Sequence, residues 1–167
     1  MSFILELGKK IKLNKNIIFK AVNIFKGLNF RQQIVLSSKK ITVINDSKST
    51  SFSSSLNLLK SYKNIFWIVG GLAKKGDRLN LPRKYYKNIN CYIYGKDKKF
   101  FIKIFKNKIK YQVFNKLDEI IKKIKIDVKS KDTVNIIFSP AAASFDQFLN
   151  FEQRGKYFNY LIRRSNF

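Results

Sequence analysis

Three polar segments, each directly after an apolar run, hold the residue types best suited to gripping a small anion. In the tail SPAAASFDQFLNFEQRGKYF, residues 139–158, Pro140 ends the apolar run 133–138 and three alanines leave room for a close backbone approach. Ser144 and Gln147 then stand at capping-box spacing, which predicts that Ser144 opens an amphipathic helix. A helix start leaves backbone N–H groups without partners and the positive end of the helix dipole behind them, which suits a carboxylate or phosphate. Most capping boxes only cap, so this pattern alone does not make a site. The second segment, Asn45-Asp46-Ser47-Lys48-Ser49-Thr50, follows the run 41–44 and precedes a helix expected from near Ser53. The third, Gly70-Gly71 followed by Lys74, comes after the run 65–69. Taken singly, Asp46 and Lys48 also read as an Asx-turn and a surface charge, and Lys74 as one solvated lysine among many.

What would bring the three together is the scaffold. Apolar residues at Ile17, Ile18, Ala21, Val22 and Phe25 predict a helix over 14–25. Residues 34–36 and 41–44, separated by Ser-Ser-Lys-Lys, read as a hairpin. Beyond it the pattern alternates: helix 54–62, strand 65–69, a helix or irregular crossover near 79–86, strand 89–94 closed by Gly95, helix 98–105, strand 109–113, helix 117–126, strand 133–138 and the final helix. Such alternation predicts an α/β, Rossmann-like fold: a mostly parallel sheet, helices on both faces and an N-terminal hairpin. Ligands in open α/β sheets sit beyond the carboxyl ends of the strands, so the three loops should converge. They would place two lysines, several hydroxyls, a carboxylate and a helix N-terminus around one crevice, a setting for a small dianion.

Leu28-Asn29-Phe30-Arg31, the NDSKST segment, the GGLAKKGD segment and the SPAAASFDQFLNFEQRG tail, in this order and spacing, resemble the C-terminal part of the Mur ligases. The resemblance covers nearly the whole chain and is closest to the member that adds D-glutamate to UDP-N-acetylmuramoyl-L-alanine in peptidoglycan synthesis. It implies ATP-driven amide-bond formation through an acyl phosphate, with ATP and Mg2+ bound mainly by a central domain that this sequence does not show. It further implies that Lys74, Thr50, Ser144 and Phe151, with the backbone at Phe145, hold the D-glutamate carboxylates, while Arg31, Asp46 and Lys48 face the nucleotide. No residue of this chain is then catalytic in itself. Residues 1–31 would be the end of the central ATPase domain and the hinge, with 1–26 less well packed than the rest. Residues 32–167 would be the amino-acid-binding domain. Donors and cations without a strong partner for nitrogen suit D-glutamate, whose amine must stay free to attack; loss of Lys74 alone should weaken its capture by roughly ten- to a hundredfold.

The sequence departs from the family pattern at several places. Phe30 stands where histidine is usual, Leu72-Ala73 replaces a polar or glycine pair, Ser51 an asparagine and Ala142 a cysteine. No G-x-x-x-x-G-K-[ST] loop is present to cradle ATP phosphates, and no G-x-G-x-x-G fingerprint for a dinucleotide. On this reading the chain is the last part of a longer enzyme, truncated or encoded apart from its ATPase portion, and inactive alone. The tail argues against other Mur ligases and folylpolyglutamate synthases.

With 35 basic and 10 acidic residues, a net charge of +25 raises the alternative of a nucleic-acid-binding α/β protein. Yet the lysines run through every segment instead of forming one stripe, no RNA- or DNA-binding motif is present, and A/T-rich codon usage is favoured over selection for polyanion binding as the source of the lysine, isoleucine, phenylalanine and asparagine content. Only non-specific nucleic-acid binding is expected. The absence of histidine removes Ser-His and Cys-His nucleophiles and histidine metal sites. Cys91, inside an expected strand, reads as a buried unpaired thiol. No apolar run approaches the roughly 20 residues of a membrane span, and a cytoplasmic location is expected.

Overall fold

The computed structural model describes residues 2–25 and 27–167. Two short helices come first, α1 (Ser2–Lys10) and α2 (Lys15–Ile24), the latter capped by Asn14, whose side chain accepts from the Asn16 N–H at 2.8 Å. An antiparallel hairpin follows, β1 (Gln33–Ser37) and β2 (Ile41–Asn45). The body continues with α3 (Phe52–Ser61), β3 (Ile65–Gly70), β4 (Leu72–Ala73), a 3-10 turn at Arg83–Asn88, β5 (Ile89–Tyr94), α4 (Lys98–Phe105) and β6 (Lys110–Val113). It closes with α5 (Leu117–Asp127), β7 (Val134–Phe138), β8 (Ala142–Ala143) and α6 (Phe151–Ser165).

Six strands form one sheet in the order β1-β2-β7-β3-β5-β6, parallel throughout except for β1. The α/β class, the parallel sheet and the leading hairpin therefore stand as expected. Strand β3 explains why the sheet needs cover on both sides: all six of its residues are buried. Ile65, Trp67 and Val69 point to one face and pack with Phe52, Leu58 and Leu59 of α3 and Phe101 and Phe105 of α4. Phe66 and Ile68 point to the other and pack with Leu117, Ile120 and Ile124 of α5 and Phe158 and Ile162 of α6. Alternation along each strand thus builds two cores, one per face. Burial of Trp67 leaves an indole N–H to satisfy, and it donates to the Ser139 carbonyl at 2.7 Å. Cys91 is a buried free thiol, its pKa raised by burial.

The start of the last helix differs from expectation. Ser144 does not open it; α6 begins at Phe151, capped by Asn150, whose Oδ1 accepts from the Gln153 N–H at 2.8 Å. Two tertiary constraints hold the intervening residues out of a helix. Ala142 and Ala143 pair as a short antiparallel ribbon with Ala73 and Leu72, and the Asp146 carboxylate accepts from the Lys96 N–H at 2.9 Å. Gln147 does not reach back to Ser144; its amide donates to the Asn115 carbonyl. The chain turns instead, with the Gln147 and Phe148 N–H groups both donating to the Ser144 carbonyl.

Around α1 and α2 the packing is thin. Among their described residues and the turn between them, only Gly8 and Ile18 are buried.

Candidate functional site

The carboxyl ends of β2, β7 and β3 lie side by side in the sheet, and the loops that leave them are tied into one cluster. From β2, the Asp46 N–H donates to the Phe138 carbonyl of β7 at 2.7 Å. From β7, the Ser139 hydroxyl donates to Asp46 Oδ2 at 2.8 Å, and the Pro140 carbonyl accepts from the Gly70 N–H of β3 at 2.9 Å. Gly71 has φ +131°, and a β-carbon there would overlap the Ala143 carbonyl oxygen. Glycine is what allows β4 and β8 to approach so closely.

Beneath these loops lies Arg154, fully buried on α6. Its Nε and one terminal nitrogen donate to the Ser47 hydroxyl and carbonyl at 3.0 and 2.6 Å, and the other to the Ala142 carbonyl at 3.0 Å. The Ser47 hydroxyl in turn donates to the Phe151 carbonyl at 2.9 Å. One guanidinium therefore fastens the β2 loop, the β8 ribbon and the first turn of α6, with no carboxylate pair among the described residues. Burial lowers its pKa from the ordinary value and pushes that of the neighbouring Tyr94 hydroxyl up to about 12. Arg154 was not among the expected site residues. The signal was its spacing: Arg154, Phe158 and Ile162 recur every fourth residue, which puts a cation on the apolar stripe.

Of the residues expected to face a nucleotide, Arg31, Asp46 and Lys48 line one open cleft of about 370 Å³ together with Gln32, Ser49 and Ser54. Asp46 is 6% exposed; burial raises its pKa, while the Ser139 hydroxyl, the Gln32 N–H and Arg31 pull it down. The Gln32 N–H donates to Asp46 Oδ1 at 3.1 Å. Phe30, where the family pattern has histidine, is buried against Gly155 of α6, whose hydrogen leaves room that a β-carbon would take from the ring.

The residues expected to hold the amino acid lie around the same loop cluster, in different settings. Lys74 and Thr50 are exposed, Ser144 is buried and Phe145 is 69% exposed. Lys74 follows the β4 ribbon, and its loop is hooked to the start of α3 by the Phe52 N–H, which donates to Asp77 Oδ2 at 2.7 Å. Phe151 is the first residue of α6, and the Lys48 ammonium sits 4.0 Å from the centre of its ring. Because α6 starts at Phe151, the N–H of Phe145 belongs to a turn and not to a helix N-terminus.

No family model matches the chain. Curated relatives do. A UDP-N-acetylmuramoylalanine–D-glutamate ligase from Wolbachia sp. subsp. Brugia malayi is 34% identical over 151 residues, 90% of this chain and 30% of the relative. That of Buchnera aphidicola subsp. Baizongia pistaciae is 38% identical over 164 residues, 95% of this chain and 36% of the relative. The chain belongs to the Mur ligase family, as a C-terminal portion. It spans about a third of the length of the curated relatives it matches. Among solved structures, a murein peptide ligase from Psychrobacter arcticus aligns with a TM-score of 0.47 at 15% identity, over 85% of this chain and 32% of that one.

Among the described residues no group of three or more Asp, Glu, Cys or His side chains could hold a metal ion. No helix among the described residues is long and apolar enough to cross a membrane. Basic residues lie on both faces of the sheet, Lys99 and Lys103 on α4 and Lys122, Lys123 and Lys125 on α5, so they form no single stripe.

Proposed function

We propose that this chain is the amino-acid-receiving domain of a ligase that joins D-glutamate to UDP-N-acetylmuramoyl-L-alanine. The convergence of three strand-end loops on one cluster, in a chain more than 30% identical to D-glutamate ligases, is the observation that carries the reading. Lys74, Thr50 and Ser144 hold the two carboxylates of D-glutamate with the backbone at Phe145, and Phe151 forms the wall. Arg31, Lys48 and Asp46 face the nucleotide across the cleft they share.

In the whole enzyme ATP supplies the phosphoryl group that activates the alanyl carboxylate. The residues of this chain then hold the acid groups of D-glutamate so that its amine points away from every cation. That amine attacks the activated carbonyl, loses a proton, and inorganic phosphate leaves as the amide forms. Residues 1–31 serve as the end of the neighbouring ATPase domain and the hinge, and 32–167 as the receiving domain. The apolar groove of about 460 Å³ on α1 and α2, lined by Ile4, Leu13, Ile17, Val22 and Phe25, supports that division. The ATPase portion is supplied by the rest of the enzyme, on the same or a separate chain, and this region is inactive without it.

An NMR amide titration with D-glutamate, with L-glutamate and a short RNA as controls, tests the reading. Shifts at Thr50, Lys74, Ser144 and Phe145 with D-glutamate alone are expected, weakened about ten- to a hundredfold in Lys74→Ala. Equal response to both enantiomers, or saturable shifts with RNA only, would overturn it.

A further inference from the structure

We propose that Phe151 is a positioning residue that parks the Lys48 ammonium on its ring and so keeps the nucleotide-side cleft from neutralising itself. The inference rests on the proposed role of that cleft. Lys48 and Asp46 line the same opening, two residues apart on one loop, and opposite charges so placed would ordinarily pair. They do not: Asp46 Oδ1 and Oδ2 are taken by the Gln32 N–H and the Ser139 hydroxyl, and Lys48 Nζ lies 4.0 Å from the Phe151 ring centre.

Where Lys48 rests is otherwise unfavourable for a cation. Phe151 is the first residue of α6, so the ammonium stands at the positive end of a fifteen-residue helix, with the buried Arg154 guanidinium one turn further on. Three attachments place the ring and the lysine opposite each other whatever the ammonium does. Asn150 caps α6, the Ser47 hydroxyl donates to the Phe151 carbonyl, and the Lys48 N–H donates to the Phe30 carbonyl at 3.1 Å. What remains to hold Nζ is the face of the aromatic ring. The consequence is a cation that stays available at the boundary between the cleft and the amino-acid wall. An anion entering beside Arg31 then meets the Lys48 ammonium as a second positive charge.

The test uses the chain with Phe151→Leu and Phe151→Tyr, and inorganic pyrophosphate as the probe. The ε-methylene protons of Lys48, assigned by loss of their signal in Lys48→Arg, should appear upfield from ring current in wild type and Phe151→Tyr and return to the ordinary position in Phe151→Leu. Pyrophosphate affinity, read at the Arg31 and Ser49 amides, should fall about three- to tenfold in Phe151→Leu and recover in Phe151→Tyr. Unshifted Lys48 protons in wild type would overturn the inference, as would unchanged affinity in Phe151→Leu once those protons have moved. A normal ring shift with no pyrophosphate response in any variant would instead overturn the reading of the cleft, and the inference with it.

Discussion

The helices α1–α2 and the helix α6 carry apolar stripes of the same kind, yet only α6 has a surface to put its stripe on. Phe158 and Ile162 are buried, Phe158 stacked on Phe138 of the sheet with ring centres 4.4 Å apart. On α1 and α2, Phe3, Ile4, Leu7, Ile17 and Ile24 are all 48% or more exposed. An apolar stripe thus states that a helix needs cover, and what provides the cover is decided elsewhere in the protein. The body supplies its own through two cores; the leading helices do not.

That contrast can be broken at its strongest point first. Arg154→Ala removes the guanidinium that fastens the β2 loop, the β8 ribbon and the start of α6 and takes a donor from each of the Ser47 and Ala142 carbonyls, so the body should lose about 2–5 kcal/mol in chemical denaturation. Amide exchange in α2 should stay unchanged, and a loss below about 1 kcal/mol would show that the loops are held by other means. Asp46 gives a smaller, pH-dependent effect. Its pKa is raised by burial, so the stability it contributes is present at acid pH and is lost as pH rises through the raised value. Asp46→Asn should therefore gain on wild type as pH rises above the ordinary carboxylate range, whereas parallel stability profiles would count against a strained carboxylate. Smallest of all should be Ile17→Lys on the open groove, within about 0.5 kcal/mol. A larger loss there would mean that the groove is covered in solution.

Much of this body was legible in the sequence, because its elements are long and their periods clear. Strand β5 and helix α4 fall where alternation and helical spacing put them, and Gly70-Gly71 marks a close approach of backbones. The start of α6 was not legible. Ser144-x-x-Gln147 and Asn150-x-x-Gln153 offer the same spacing, and local pattern has no means of choosing between them. The choice is made by the β4–β8 ribbon and by the Asp146 carboxylate, contacts between residues far apart in sequence. Arg154 escaped for a related reason: a basic residue is ordinarily read as solvated, and its place under the loops shows only when the loops are assembled. Arg31, Asp46 and Lys48, grouped by the resemblance, line one cleft, and the nucleotide they would face is part of the proposal.

The hydrogen that stands for a side chain at Gly155 also bears on where the proposed hinge would bend. With Phe30 pressed onto α6, its carbonyl holding the Lys48 N–H and the next residue but one bonded to Asp46, the segment around Arg31 is tied to the body on both sides. Gly27 lies just ahead, with a left-handed φ of +78° and open space around it. Within the hinge proposed over the first 31 residues, Gly27 would therefore be the pivot, and Arg31, at the hinge's last position, would travel with the body.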